Sequence, residues 1–285
     1  MAAAISVQYE TFDLHGSQSL FAQSWCPASE VRGVIGIVHG LGEHSSRYTS
    51  FAERFAQAGF RVVAYDQRGH GRTSGKRGDA PSYEVLLYDV AALLSAMNAG
   101  EASLPKFLFG QSLGGSLVLN FALRRHPKLN GIIASSPLLL PAHPPPRWKQ
   151  LAARFLQRVW PSFRFRSGVQ AEGLSHDPAV VAAYKADPLV HDLVSARLAV
   201  AMLDAGEWAL EHAAELTVPT LLMHGMADPI TSAQATIDFA QRAGRSCTLH
   251  TFPGLYHELH WELERDEAFE VVLDWLKQRV AGLRD

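Results

Sequence analysis

The sequence contains almost no cysteine and no long apolar run. Only Cys26 and Cys247 are present among 285 residues, which argues against a disulfide-stabilised scaffold and is typical of a reducing compartment. No stretch approaches the ~18 consecutive apolar residues of a membrane-spanning helix, and the first residues lack the basic and apolar regions of a secretory signal. These absences predict a cytoplasmic protein.

The sequence also has no large excess of positive or negative charge. The formal net charge is -2, with 19% charged and 47% hydrophobic residues, which is the composition of an ordinary globular protein. No nucleic-acid partner is therefore expected. Fixed-period repeats are also missing, which excludes solenoid architectures. At this length the chain can form one large α/β domain or a domain with an insertion.

What the sequence does contain is an alternation of strand and helix patterns. Residues 5–14 and 19–25 alternate around a turn, which predicts an antiparallel N-terminal hairpin. Short apolar runs typical of strands buried on both faces cover residues 34–39, 60–66, 106–110, 129–135, 218–225 and 246–252. Helical periods cover residues 48–58, 83–97, 113–125 and 264–280. The alternation predicts a mostly parallel sheet with helices on both faces.

The alternation stops at the proline-rich stretch 137–147 and resumes at residue 218, and the segment between them has a mostly helical pattern. Ligands of open α/β sheets bind beyond the carboxyl ends of the strands, so an insertion after the fourth parallel run is placed to cover that edge. We therefore expect an α/β core in two parts, residues 1–137 and 214–285, and a helical lid over residues 138–213.

One serine stands in the pattern of a nucleophile. The stretch L-F-G-Q-S-L-G-G, residues 108–115, places Ser112 in a G-x-S-x-G turn directly after an apolar run. A serine hydroxyl needs a base, and the base needs an acid to hold its tautomer; in the α/β-hydrolase arrangement these follow in the order Ser, Asp or Glu, His, each after a strand. Asp228 and His257 supply that order. Taken alone, Asp228 could be the cap of the helix that follows it, and His257 could be an ordinary surface histidine. Their joint placement after successive strands predicts a catalytic triad.

The same chemistry requires amide donors for a tetrahedral oxyanion. The residue after the nucleophile, Leu113, and the loop after the first parallel strand, at Leu41, are placed to supply them. Glycines at positions 40 and 42 let this loop turn tightly. A glycine-rich turn without a catalytic role would have the same sequence.

Four motifs together resemble the monoacylglycerol lipases of the α/β-hydrolase superfamily. They are H-G-L-G-E-H-S-S-R-Y at 39–48, Y-D-Q-R-G-H-G-R-T-S-G-K-R-G at 65–78, G-Q-S-L-G-G at 110–115 and Y-H-E-L-H-W-E at 256–262. The resemblance implies an α/β-hydrolase fold and an esterase without metal or cofactor, with the triad and amide donors named above. It also implies that Glu43, Arg47 and His260 surround the glycerol group. An ion pair between Glu43 and Arg47, four residues apart, would explain that pair equally well. Gln111 and Leu113 depart from the His and Met that are common in the family.

The predicted lid contains a helix with a basic and an apolar side. Its basic residues, with no acidic residue among them, are Arg147, Lys149, Arg154, Arg158, Arg164 and Arg166. Its apolar stripe consists of Trp148, Leu151, Phe155, Leu156, Val159 and Trp160. This pattern is typical of an interfacial helix drawn to anionic lipid, which implies peripheral contact with a membrane or micelle. Alternatively, the stripe packs down on the catalytic domain.

These observations predict a serine hydrolase that cleaves esters of single-chain lipids through an acyl-enzyme on Ser112. Monoacylglycerol is the expected substrate. The same triad would also serve a lysophospholipase, a broad carboxylesterase or a thioesterase, because it transfers an acyl group whatever the leaving group. A non-catalytic binding protein of the same fold is a remoter alternative. H-E-L-H-W spaces its histidines three apart, not the four of a zinc-protease helix, so no metal is expected.

Overall fold

The computed structural model describes residues 6–14, 18–28, 30–98 and 103–282. Its strands are β1 (Ser6–Leu14), β2 (Gln18–Cys26), β3 (Gly33–Val38), β4 (Phe60–Tyr65), β5 (Lys106–Gln111), β6 (Gly131–Ser135), β7 (Arg164–Arg166), β8 (Leu193–Ser195), β9 (Thr220–Gly225) and β10 (Cys247–Phe252). Its α-helices are α1 (Thr49–Gln57), α2 (Tyr83–Asn98), α3 (Leu113–Arg125), α4 (Arg147–Val159), α5 (Pro178–Ala186), α6 (Ala196–Glu211), α7 (Ala233–Ala243) and α8 (Arg265–Ala281).

Eight strands form one sheet in the order β1-β2-β4-β3-β5-β6-β9-β10. β1 pairs with β2, and β2 with β4, in antiparallel fashion, whereas every other neighbouring pair is parallel. The predicted α/β-hydrolase fold, a mostly parallel sheet with an antiparallel hairpin, is thereby confirmed. The hairpin's turn at 15–17 lies outside the described residues. Because β3, β5, β6, β9 and β10 all run the same way, their carboxyl ends share one edge of the sheet.

Helices cover both faces of this sheet, as predicted. Buried side chains of α2, α3, α6 and α7 form one apolar cluster, and those of α1 and α8 form a second on the opposite face. β3 contributes to both: Val34 and Val38 face the first cluster, and Ile35 and Ile37 face the second. Burial on both faces explains why these strands read as continuous apolar runs.

Two predicted strands each begin two residues later than expected. β6 starts at Gly131 instead of residue 129. β9 starts at Thr220 instead of residue 218, because Pro219 has no N–H to donate to the ladder. The Pro219 carbonyl still accepts the Ile132 N–H at 2.9 Å, so the chain already lies alongside β6. The difference at β9 therefore concerns hydrogen bonding, not the path of the chain.

Residues 138–213 contain α4, α5 and α6, and also a short antiparallel pair of β7 with β8 that the helical pattern did not predict. α6 packs closely on α3, where Asn120 Nδ2 donates to the Ala205 carbonyl at 3.1 Å. Gly206 lies against the Leu139 backbone with no room for a Cβ. α4 and α5, by contrast, bury no residue. No helix in the described part of the chain is long and apolar enough to cross a membrane.

Candidate active site

Ser112 lies in the sharp turn between β5 and α3. Its backbone has φ 55° and ψ -116°, a left-handed conformation that is strained for a residue with a Cβ. The turn is possible because of its glycines: a Cβ on Gly114 would collide with the Val38 carbonyl, and one on Gly110 with the Gly114 backbone. The Ser112 N–H donates to the Ser135 carbonyl at 3.0 Å. These contacts fix the serine at the carboxyl edge of the sheet.

Asp228 lies three residues beyond β9, at the same edge. Its Oδ1 accepts the backbone N–H groups of Ile230 at 2.7 Å and Thr231 at 3.1 Å, and its Oδ2 accepts the Thr231 hydroxyl at 2.8 Å. The cap of the following helix is Ser232, whose hydroxyl accepts the Ala235 N–H. Asp228 is therefore not the cap of α7, and its carboxylate is held by the loop on which it stands.

His257 follows β10 and is buried next to Asp228. The distance from His257 Nδ1 to Asp228 Oδ2 is 2.7 Å. A carboxylate can only accept, so Nδ1 carries the hydrogen and Nε2 is left as the basic nitrogen. Gln111 Nε2 donates to the His257 carbonyl at 3.0 Å, which ties the histidine loop to the residue before Ser112. Within the described residues no hydrogen bond joins Ser112 Oγ to His257; such contacts often tighten only when substrate is bound.

Asp228 and His257 shift each other's pKa. Burial by itself would raise the pKa of Asp228, but His257 and His224 outweigh it and hold that pKa far below its usual range. Burial would likewise lower the pKa of His257, yet the Asp228 carboxylate raises it above the ordinary 6.5. The pair can therefore hold an anionic carboxylate against an imidazole that readily accepts a proton.

A second histidine, which the sequence reasoning missed, also contacts the acid. His224 lies on β9 with its Nε2 3.1 Å from Asp228 Oδ2 and its Nδ1 2.8 Å from Thr236 Oγ1. Because the carboxylate must accept, His224 Nε2 carries the hydrogen and the Thr236 hydroxyl donates to Nδ1. The H-x-x-x-D spacing of His224 and Asp228 could have predicted this contact, because the loop after a strand can fold back onto a histidine at the end of that strand.

The loop after β3 passes directly beside Ser112. A Cβ placed on Gly40 would lie 3.2 Å from the Ser112 Cβ. The Gly40 N–H donates to Glu43 Oε1 at 2.6 Å, which holds the loop in shape. The N–H groups of Leu41 and Leu113 have no acceptor among the described residues. Two unsatisfied amides thus stand on the two segments next to the serine.

Glu43 and Arg47 belong to a buried ionic network. Arg47 Nη1 donates to Glu43 Oε2 at 2.6 Å, and the Tyr48 hydroxyl donates to Glu43 Oε1 at 2.8 Å. The ion pair offered as the alternative explanation of these residues is therefore present. Burial opposes ionisation of Glu43, but the Arg47 guanidinium lowers the pKa of Glu43 to about 2. Glu258 was not predicted at the site. It accepts hydrogen bonds from Arg47 Nη1 at 2.6 Å and from Arg47 Nη2 at 2.7 Å.

His260 is buried beside this network. Its ring stacks on that of Tyr48 with centroids 4.7 Å apart, and neither ring nitrogen has a hydrogen-bond partner within the described chain. Burial lowers the pKa of His260 to about 3, so the ring is neutral at pH 7. The two ring nitrogens of His260 are therefore unsatisfied polar atoms close to Glu43. Among the described residues, here or elsewhere, no group of three or more His, Cys, Asp and Glu side chains has the arrangement of a metal site.

Five of the six residues of the predicted apolar stripe of α4 face solvent, and the sixth, Leu156, is half-buried. Trp148, Leu151 and Phe155 are 67%, 69% and 63% exposed. Val159 and Trp160 are exposed to a similar degree. The alternative in which this stripe packs down on the catalytic domain is therefore wrong. The helix is held instead by its opposite side, which contacts α6 and includes an ion pair from Arg154 to Asp204.

Comparison with known proteins places this geometry in a family. Residues 29–264 match the family described as Serine aminopeptidase, S33. A monoacylglycerol lipase of Mycolicibacterium smegmatis is 33% identical over 88% of this chain and 90% of that protein. The chain belongs to the monoacylglycerol lipase family. The crystal structure of the Paleococcus ferrophilus monoacylglycerol lipase superposes on this member with a TM-score of 0.84 at 34% identity, covering 91% of this chain and 99% of that one.

An abhydrolase domain-containing protein of Dictyostelium discoideum extends the family to a larger protein. It is 35% identical to 94% of this chain, which spans only 29% of its length. This chain is thus similar to only part of that longer protein. Membership of this family confirms the resemblance that the four motifs indicated.

Proposed function

We propose that this protein hydrolyses monoacylglycerol to fatty acid and glycerol, with Ser112 as nucleophile, His257 as general base and Asp228 as the acid that orients it. The observation that carries the proposal is the 2.7 Å contact between His257 and Asp228 at the sheet edge where the strained Ser112 turn lies. Strain of this kind is kept where the surrounding structure enforces it for function. Two relatives that are described as monoacylglycerol lipases support a monoacylglycerol ester as the substrate.

In the proposed reaction His257 Nε2 removes the proton of Ser112 as its Oγ attacks the ester carbonyl carbon. The oxyanion of the tetrahedral intermediate accepts the N–H groups of Leu41 and Leu113, which need no reorganisation to receive it. The intermediate collapses, the bond to glycerol breaks, and the protonated His257 gives its proton to the leaving alkoxide. Water, activated by the same histidine, then releases the fatty acid from Ser112.

Glu43, Arg47 and His260 are proposed to surround the glycerol group. They stand on the segments next to the Leu41 loop and His257, and the unsatisfied nitrogens of His260 suit the hydroxyls of a polyol. Glu43 has a second role, because its carboxylate holds the Gly40 N–H and so shapes the loop that presents Leu41.

A substrate panel tests the proposed reaction. We expect kcat/KM to be highest for 1- and 2-monoacylglycerols and at least about tenfold lower for triacylglycerol and lysophosphatidylcholine. The leaving group of triacylglycerol is much bulkier than glycerol, and the phosphate of lysophosphatidylcholine meets an Arg47 that is already paired with Glu43 and Glu258. The measurement compares these substrates at equal chain length, with p-nitrophenyl esters as a reference for bare acyl transfer. A preference for lysophosphatidylcholine would reassign the protein as a lysophospholipase.

We further propose that residues 138–213 act as a lid and that α4 docks the enzyme on anionic lipid surfaces. Isolated apolar residues on a protein surface are common, but a contiguous stripe with aromatic residues marks an interaction site. The neighbouring Arg147, Lys149 and Arg158 add attraction to anionic head groups. An interfacial helix would bring the enzyme to the surface in which its water-insoluble substrate is dissolved.

The double variant Leu151→Ser, Phe155→Ser is expected to lose about tenfold in activity on micellar long-chain monoacylglycerol, since two apolar anchors no longer enter the lipid. Hydrolysis of a short soluble ester should change less than about twofold, because Leu151 and Phe155 are largely exposed and their replacement removes no buried side chain. Leu263→Ser removes a leucine of similar exposure, 60%, outside α4 and serves as the control. Equal losses on both substrates would refute interfacial docking.

A further inference from the structure

Arg47 is held between two carboxylates in the interior of the protein. Its side chain is 8% exposed, and those of Glu43 and Glu258 are each 4% exposed. Glu258 binds the guanidinium with both oxygens, and Glu43 binds it with one. The ring of Tyr184 from α5 covers the guanidinium, 4.8 Å away. One cation is thus matched by two anions, and the cluster has a net charge of -1.

This cluster adjoins the place where a leaving group must lie. In the proposed mechanism, on which this inference rests, His257 protonates the departing alkoxide, so the head group sits beside the His257 ring. Glu258 is the next residue along the chain, and Glu43 holds the Gly40 loop that passes beside Ser112. Burial lowers the pKa of His257, and besides Asp228 both Glu258 and Glu43 raise it, so both carboxylates act on the ring that protonates the leaving group.

The surroundings of the cluster add to its negative charge. A surface cleft of about 720 Å³ leads outward from Arg47. The charged side chains that line it are Arg72, Glu53 and Asp187, the last of which pairs with His44 at 2.8 Å. The buried cluster and the lining of this cleft, which share Arg47, together contain four carboxylates and two arginines. Neutral His260 does not alter this balance.

We propose that Glu258 determines head-group selectivity: by cancelling the charge of Arg47 it makes the leaving-group site net negative, so that uncharged polyols are accepted and phosphomonoesters are rejected. Without Glu258, Arg47 would have one carboxylate partner and a free edge of its guanidinium. A guanidinium edge binds phosphate oxygens with two parallel hydrogen bonds. Without Glu258, Arg47 would therefore bind the phosphate head group that Glu258 excludes in the wild type.

The test compares 1-butyrylglycerol with 1-butyrylglycerol 3-phosphate, both soluble, so that α4 and lipid surfaces have no influence. For the wild-type enzyme we expect kcat/KM to favour the neutral ester on the order of 100-fold, the effect of one like charge about 6 Å away at a partly screened site. Glu258→Gln should reduce this ratio about tenfold or more. Glu258→Met, which removes the same charge, is measured in parallel in case one variant fails to fold.

Glu264→Gln is the matched control, because this exposed glutamate changes the net charge equally and its side chain caps no helix end. Its ratio should equal that of the wild type. A wild-type ratio near one, an unchanged ratio in folded Glu258 variants, or the same shift in the Glu264 variant would each overturn the inference. If the wild type hydrolyses neither ester, the proposed function fails instead.

Discussion

Replacement of Ser112 by alanine is expected to abolish both hydrolysis of monoacylglycerol and labelling by a fluorophosphonate probe. Ser112 Oγ is the only atom of the protein that forms a bond to the acyl carbon in the proposed mechanism, and loss of the equivalent serine in a serine protease lowers kcat on the order of 10⁶-fold. Alanine keeps the Cβ that the φ 55° conformation already accommodates, so the thermal unfolding midpoint should change little. Labelling intensity and kcat are the measurements.

Ser136→Ala provides a matched control for this experiment. Ser136 also has a positive φ, 42°, at the end of the neighbouring strand, and its buried hydroxyl has no hydrogen-bond partner in the described chain. It has no part in the proposed chemistry and should still be labelled. Equal labelling of the wild type and Ser112→Ala would exclude the serine as nucleophile, and absence of labelling in all three would favour a binding protein.

Replacement of Asp228 by asparagine is expected to leave a folded protein that turns over about 10⁴-fold more slowly. The Asn oxygen can still accept the N–H groups of Ile230 and Thr231 in place of Oδ1, which preserves the loop. The amide nitrogen then faces His257 and favours the wrong tautomer, with the hydrogen on the nitrogen that should act as base. The magnitude is that of the corresponding serine protease variant. A rate near that of the wild type would contradict the role of Asp228.

The pH profile gives a second measurement on the same variant. Protonated His257 cannot remove the Ser112 proton, so kcat/KM rises with pH as His257 loses its proton. The Asp228 carboxylate raises the pKa of His257, which places the midpoint of the acid limb above 6.5 in the wild type. In Asp228→Asn the anion is gone while burial remains, so the limb of the residual activity should move to lower pH. An unmoved limb would show that another group controls it.

The fold and the three proposed catalytic residues could be predicted because they follow from local sequence. Apolar runs mark strands buried on both faces, and Ser112, Asp228 and His257 each stand just past one of them. In a parallel sheet such positions converge at one edge without any further information. The elbow glycines add a second local constraint, since only residues without a Cβ fit against Val38 and Gly114.

The contacts that were missed depend on distances between segments far apart in the chain. Glu258 pairs with Arg47, which lies 211 positions away in the sequence. No local sequence pattern predicts which arginine pairs with a buried glutamate. His224 contacts Asp228 only because the loop after β9 folds back on its own strand. The exposure of α4 was undecided for a similar reason: periodicity identifies an apolar stripe but not whether another surface covers it.

The exposed stripe of α4 has a consequence for the kinetics if the proposed docking holds. With the helix embedded in a lipid leaflet, collisions with substrate would occur in two dimensions, and the rate would follow the mole fraction of monoacylglycerol in the leaflet instead of its amount per litre. Diluting the leaflet with an inert lipid would then slow turnover even when total substrate and total enzyme are unchanged.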